Sequence, residues 1–411
     1  MKKFFCVILS TIILTSCNKN ETTYIDDPGN YEETNTYVVS EKVENINGDK
    51  ILPFNTMMNL TTYSENVYSK LTPLFDKEIK RLHILFDRYN LYKDENGKII
   101  NNLKVINDSY GKNEEIIIDD DLFELLEISI NLAKLTKGYF NPTMGYLIDG
   151  WTEYYSPYGL TEDSFTVSDD ILLSNRKDAI VSYENLDDVI KLNKTKKSVI
   201  FNKNSESNLP CIISLGAIAK GYAIEYLRRE FSKHNTPLII SGSASSSYMQ
   251  GKNPNPSRDN WNIQINSSYK NEIYMSLPLL LSELTPNKVM STSGDYEQLF
   301  YYKNNDELIR RHHILNPYSG HSEDYFRSIN LYSDTRSDIL DGLSTALFNI
   351  DDFNIINNII DDVESYYDIN IDCLFQKEIS DKKIDLFYNE GFENTITKYY
   401  DYVEINEKTR I

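Results

Sequence analysis

The sequence predicts an α+β fold, a mixed α/β architecture built as a single large domain. Long segments with apolar residues three and four apart read as amphipathic helices. Short runs rich in Val, Ile, Tyr and Phe, bounded by Asn, Asp and Lys turns, read as strands. The two kinds intermix without the regular rhythm of a parallel sheet. At 411 residues the chain can enclose an ample core.

Residues 1–17 read as an export signal. Lys2 and Lys3 are followed by an apolar run over 4–14 that is too short for a permanent membrane span. Leu14-Thr15-Ser16-Cys17 resembles the lipobox of bacterial lipoproteins, which implies lipidation of Cys17 and an anchor on the extracytoplasmic face of the cell membrane; a plainly cleaved signal is the alternative. Residues 18–49, rich in Asn, Glu, Thr and Asp, read as a flexible acidic linker. The domain is expected over 50–350, with 351–411 as its C-terminal extension. The formal net charge of −20 argues against nucleic acid, whose phosphates it would repel. Beyond the signal only Cys211 and Cys373 remain, too few for a disulfide scaffold, and the sequence leaves their pairing open.

Within the domain, Leu71, Leu74, Phe75, Ile79, Leu82 and Phe86 predict a helix over about 63–90. Leu122, Leu125, Leu126, Ser129, Leu132 and Ala133 predict another over 119–135, with Asp119-Asp120-Asp121 at its positive end and Gly138 closing it. Strands are expected at 180–183, 189–192 and 198–201, a helix over 217–233, strands near 238–240, 261–265, 272–277, 298–302 and 328–332, and a helix over 337–349.

Three segments carry chemistry. Ser214-Leu215-Gly216-Ala217-Ile218-Ala219-Lys220-Gly221 places small residues and a lysine where a helix starts, a natural anion site, though taken alone the run is more simply read as a helix entry with close backbone packing. Asp341 and Thr345 stand four apart on one helix face, as oxygen ligands for magnesium or as a surface carboxylate and a threonine bonded to its own helix. His313 precedes the Asn316-Pro317-Tyr318-Ser319-Gly320 turn, where it serves either as a general base or as a structural residue.

The order of these segments, with Ser291-Thr292-Ser293-Gly294-Asp295 between them and Gly138-Tyr139-Phe140-Asn141-Pro142-Thr143 upstream, resembles the ApbE family of FAD:protein FMN transferases. The resemblance implies an ApbE-like domain with an FAD-binding cleft and magnesium-dependent transfer of FMN from FAD to a threonine or serine of an exported acceptor carrying a Ser/Thr-Gly-Ala-Thr-like motif, with AMP released. By that likeness Met58, Tyr89, Tyr139, Phe140, Asn141, Ser214, Lys220 and Leu315 contact FAD. Ala217, Asp341 and Thr345 hold magnesium, and His313 takes the acceptor's proton. Ser214, Asn141 and Asn316 stand where the family has aspartate, so hydrogen bonding is kept and charge is lost. Hydrolysis of FAD to FMN and AMP, or FAD binding without catalysis, are the alternatives.

The anchor is open to direct test. Replacing Cys17 by Ser is expected to abolish partitioning of the protein into detergent; unchanged partitioning refutes lipidation at this cysteine.

Overall fold

The computed structural model describes residues 34–156, 159–243, 245–270 and 275–411. The expected export signal, Cys17 and the first part of the expected linker lie outside them. At the centre is a nine-stranded sheet of β1 (Asn35–Val38), β2 (Met58–Thr62), β3 (Leu238–Gly242), β4 (Ser246–Gln250), β5 (Lys288–Gly294), β6 (Ser328–Ser333), β7 (Asp372–Ser380), β8 (Lys383–Tyr388) and β9 (Glu404–Arg410). These strands lie side by side in chain order, antiparallel at each step until β9, which runs parallel to β8. Helices and smaller sheets are therefore insertions between neighbouring strands.

β1 corrects the linker reading, because residues 35–38 pair with β2 along the sheet edge. A strand on an edge needs few apolar side chains, and here Tyr37 does the anchoring, packing edge-on to Phe75 and donating its hydroxyl proton to Asp76 at 2.8 Å. Residues 43–44 and 50–51 form a further short antiparallel pair.

The sheet is covered on both faces. Helices α1 (Glu65–Phe86), α2 (Asp120–Leu135), α3 (Ala219–Phe231), α4 (Ser337–Leu347) and α5 (Phe353–Tyr367) supply the first cover. A three-stranded sheet of Trp261–Lys270, Ser276–Leu284 and Ile396–Tyr399 supplies the second. Alternation along the strands serves both cores: Tyr248, Leu331 and Cys373 face the helices, and their neighbours Met249, Tyr332 and Leu374 face the small sheet. Cys211 and Cys373 are buried, unpaired thiols.

The helices follow the apolar periodicity. α1 buries Leu71, Phe75, Ile79, Leu82 and Phe86, and α2 starts on Asp119, whose side chain accepts the Asp121 N–H at 2.9 Å. Gly138, at φ +86°, then turns the chain away. Residues 180–183 are not a strand; Val181 spends its backbone groups on the side chains of Asn141 and Thr143. Part of the strand expected at 272–277 lies outside the described residues, and the strand that is described there runs over Ser276–Leu284.

One crossing sets where the insertions meet. α3, at the end of the β2–β3 insertion, passes α4, which follows β6, so closely that a Cβ on Gly221 would stand 2.3 Å from the Ser337 carbonyl oxygen and 2.5 Å from the Asp341 Cβ. Only glycine fits. Four residues on, Glu225 accepts the backbone N–H groups of Arg336 (3.0 Å) and Ser337 (3.3 Å), which stands in for the cap that α4 lacks from its own Arg336.

Gly221→Ala is therefore expected to cost about 3 kcal/mol or prevent folding, by overpacking. Gly216→Ala, where a Cβ meets only the Ser214 Oγ at 3.9 Å, should leave stability unchanged or raise it by about 0.5 kcal/mol. Urea unfolding of both variants tests the contrast, and equal midpoints would refute the close crossing.

Candidate active site

The start of α3 is held against the stretch that carries Phe140 and Asn141. Met144 and Ile212 form an isolated parallel bridge, the Ser214 N–H donates to the Pro142 carbonyl at 2.8 Å, and the Gly145 N–H donates to the Ile212 carbonyl at 2.9 Å. Ser214, Ala217 and Lys220 remain half-buried there. Tyr139 is half-buried too and meets the exposed Tyr318 edge-on at 5.0 Å. Phe140 is buried against Gly342 of α4. Asn141 is also buried; its amide donates to the Val181 carbonyl at 2.8 Å and its oxygen accepts from the Thr143 N–H and hydroxyl.

Asp341 projects from α4 into the crossing. One carboxylate oxygen accepts the Gly221 N–H at 2.9 Å and the other accepts the Ser246 hydroxyl at 3.3 Å. Burial raises its pKa, while the Lys220 charge, the Gly221 N–H and the Ser246 and Ser291 hydroxyls pull it down. Thr345, one turn on, donates its hydroxyl proton to the Asp341 carbonyl at 3.2 Å and stays half-buried. Thus the threonine is bonded to its own helix, and its oxygen lone pairs remain available.

His313 follows the hairpin of Leu299–Asn304 and Glu307–His312. Its backbone N–H and its ring Nδ1 both address the Gln298 carbonyl, at 3.1 and 3.4 Å. A carbonyl only accepts, so Nδ1 carries the proton and Nε2 is the basic atom. Burial and the Lys220 charge push its pKa down to about 4. His312 differs: it is fully buried, donates from Nε2 to the Glu323 carbonyl at 2.9 Å and accepts the Ile314 N–H on Nδ1. Both ring nitrogens of His312 are therefore engaged in structure.

Lys220 links the parts, since its charge lowers the pKa of both Asp341 and His313. The structure thus brings Lys220, Asp341 and His313 into one electrostatic neighbourhood, with Thr345 on the same helix and Ser214 and Ala217 just ahead of Lys220. Other expected contacts stand differently. Met58 is wholly buried, with its sulfur facing Gly242, so it offers no surface to a ligand; its neighbour Met57 is exposed. Leu315 is likewise buried, in a small core with Met144, Trp151 and Phe300. Tyr89 is exposed beside Arg88, whose guanidinium pairs with Asp149 at 2.7 Å. Among sites the sequence reading missed are Ser246 and Ser291, whose only signal was the serine-rich 241–247 segment and the Ser291-Thr292-Ser293 run.

A cation would fit this chemistry. Among the described residues no group of three or more His, Cys, Asp or Glu side chains could hold a metal. Ala217, Asp341 and Thr345 would bring a carbonyl, a carboxylate and a hydroxyl, which are hard oxygens suited to a magnesium ion that keeps waters and shares phosphate oxygens. The buried Asp341 carboxylate is the group such a charge would favour most.

The sequence matches the model of the ApbE family over residues 54–362. Its fold is similar to that of the ApbE protein of Thermotoga maritima, at 20% identity and a TM-score of 0.61 over 84% of this chain and 97% of that one. Flavin transferase ApbE from Vibrio cholerae is similar at 15% identity and a TM-score of 0.60, over 88% and 99%. Flavinyl transferase ApbE from Pseudomonas stutzeri, in its apo form, is similar at 15% and 0.60, over 90% and 98%. At such identities the likeness is one of fold. Comparison with curated proteins gives no match.

His312 makes a pH prediction. A group whose folded pKa is lowered binds fewer protons folded than unfolded, so its contribution is present above the unfolded pKa and is lost as pH falls. For His312 that window runs from 6.5 down to about 3. Asp341, with its pKa raised, acts with the opposite sign, costing stability at neutral pH and recovering it on acidification. His312→Gln should therefore flatten the acid-side fall in urea midpoint between about pH 6.5 and 4. An unchanged slope shows that His312 is not held neutral in the fold.

Proposed function

Because the chain belongs to the ApbE family, we propose that it is an FAD:protein FMN transferase, a magnesium-dependent enzyme that moves the FMN half of FAD onto a threonine or serine hydroxyl of an exported acceptor protein and releases AMP. One observation supports this reading above the others. The helix start at Lys220, the Asp341 carboxylate and the basic His313 share one neighbourhood, which is the set of groups that attack on a pyrophosphate requires.

In the proposed reaction the acceptor hydroxyl oxygen bonds to the FMN phosphorus, the phosphorus–oxygen bond to AMP breaks, and the hydroxyl proton passes to His313 Nε2. The lowered pKa keeps His313 neutral near pH 7, so the base form is present before substrate arrives. Asp341, Thr345 and the Ala217 carbonyl would hold magnesium, which when bound neutralises phosphate oxygens. Lys220 and the α3 start add positive potential for the same phosphates. Tyr139 and Tyr89 supply accessible aromatic rings for FAD. Anchoring through lipidated Cys17 would keep the enzyme on the extracytoplasmic face, where an exported acceptor is met.

The deciding experiment mixes the protein with FAD and magnesium, with and without an acceptor protein, and follows AMP release and the position of FMN. Transfer places FMN covalently on the acceptor, hydrolysis leaves it free, and a binding protein yields no AMP. His313→Ala is expected to keep FAD binding and lower transfer at saturating FAD by at least about a hundredfold. Asp341→Ala should weaken apparent magnesium affinity. Full activity of either variant overturns its assigned role.

A further inference from the structure

His313 and the side-chain cation ligands Asp341 and Thr345 sit on separate insertions, the first between β5 and β6 and the second between β6 and β7. Their spacing must therefore be fixed by contacts between the insertions. One buried side chain makes such a contact. Asn349, just beyond α4, donates from Nδ2 to the Leu315 carbonyl at 3.2 Å and to the Thr345 carbonyl at 3.1 Å. Leu315 stands two residues after His313, and Thr345 is the hydroxyl residue of the cation set. A return contact runs from the Asn316 amide to the Asn349 carbonyl at 3.5 Å.

The chemistry of that position points to its donors. Asn349 is almost completely buried, and its Oδ1 has no hydrogen-bond partner among the described residues. Retaining an amide with an unmatched acceptor in a buried place makes sense where its two N–H bonds do a job that an apolar side chain cannot. The bond to Thr345 alone would be a local helix-end contact. The bond to Leu315 instead crosses to the histidine turn. That turn is stiffened further by the Asn316 amide on Glu323 at 3.1 Å and the Ser319 hydroxyl on the same carboxylate at 2.6 Å.

We propose that Asn349 is a positioning residue that ties the His313 turn to the Asp341–Thr345 helix and so fixes the base relative to the cation site. The inference rests on the flavin-transfer reading for its effect on catalysis. Asn349→Leu removes both donors at similar volume. Asn349→Asp keeps the shape, loses the donors and carries the same comparison if the leucine variant fails to fold.

Transfer kinetics in FAD at saturating magnesium, Mn2+ affinity by electron paramagnetic resonance, and hydrogen exchange of the full chain are measured together. The expected result is a KM for FAD within about twofold of wild type and a kcat lower by roughly 10- to 100-fold, the scale of a small misplacement of reacting groups. Mn2+ affinity should weaken and exchange should rise in 313–320 and 341–347 together, with the rest of the chain unchanged. An unchanged kcat, or a loss matched by faster exchange throughout, overturns the proposal because a general stability role would explain it. If the wild-type protein transfers no FMN, it is the functional reading that fails. The exchange measurement still judges the tether: joint loosening of the two segments supports it, and loosening confined to the end of α4 overturns it.

Discussion

The bond from the Gly221 N–H to Asp341 is the constraint on which the rest of the site depends. It exists because α3 and α4 approach to a distance that only glycine permits, and that approach locks the β2–β3 insertion to the helix after β6. A buried carboxylate is costly unless donors surround it. Here the backbone N–H and the Ser246 hydroxyl meet it from two sides, while Glu225 ties the same helix pair together one turn along. The charge that braces the crossing is also the charge proposed to hold the cation. Structural tolerance and ligand chemistry thus draw on the same few donors.

The other half of the site is braced differently. On the hairpin strand Glu307–His312, alternate side chains face opposite ways. Arg310 pairs with the buried Asp295, while Arg311 forks onto Asp170 at 2.9 and 2.8 Å. Buried ion pairs add little net stability once desolvation is counted. Their geometry is nonetheless demanding, and two of them, one on each side of the strand, leave the following residues little freedom. His312 then plugs into Glu323 and Phe348, and His313 emerges at the strand end with one ring nitrogen already committed. Rigid support of this kind is what a base needs to hold its orientation.

Much of this was legible in the sequence because it rests on local pattern. The apolar spacing of α1 and α2, the small residues ahead of Lys220 and the four-residue step from Asp341 to Thr345 all follow from helix geometry. β4 and β5 escaped notice for a physical reason. Their Ser-rich sequences lack strand-like alternation, and they are stable because neighbours pair on both sides and Ser293 meets the Ser344 hydroxyl of α4 at 2.8 Å. β1 escaped because an edge strand can look like a polar spacer. Ser246, Glu225 and Asn349 act across insertions far apart in sequence, and no periodicity reports such contacts. Met58 and Leu315 show the reverse limit: family likeness gives a neighbourhood, whereas burial decides which neighbour faces outwards.

The departures at Asn141 and Asn316 bear on whether the site works or has decayed. Had two aspartates been lost without compensation, their replacements would leave donors facing nothing. Instead the Asn141 amide donates to the Val181 carbonyl and the Asn316 amide to the Glu323 carboxylate, while each side-chain oxygen accepts a backbone N–H, from Thr143 and Tyr318 respectively. An aspartate in either place would set a carboxylate oxygen against an acceptor oxygen, a repulsion in a poorly solvated position. The surroundings are therefore matched to the amides. Asp341 remains the carboxylate held in place between Gly221 and Ser246, within reach of the Lys220 charge.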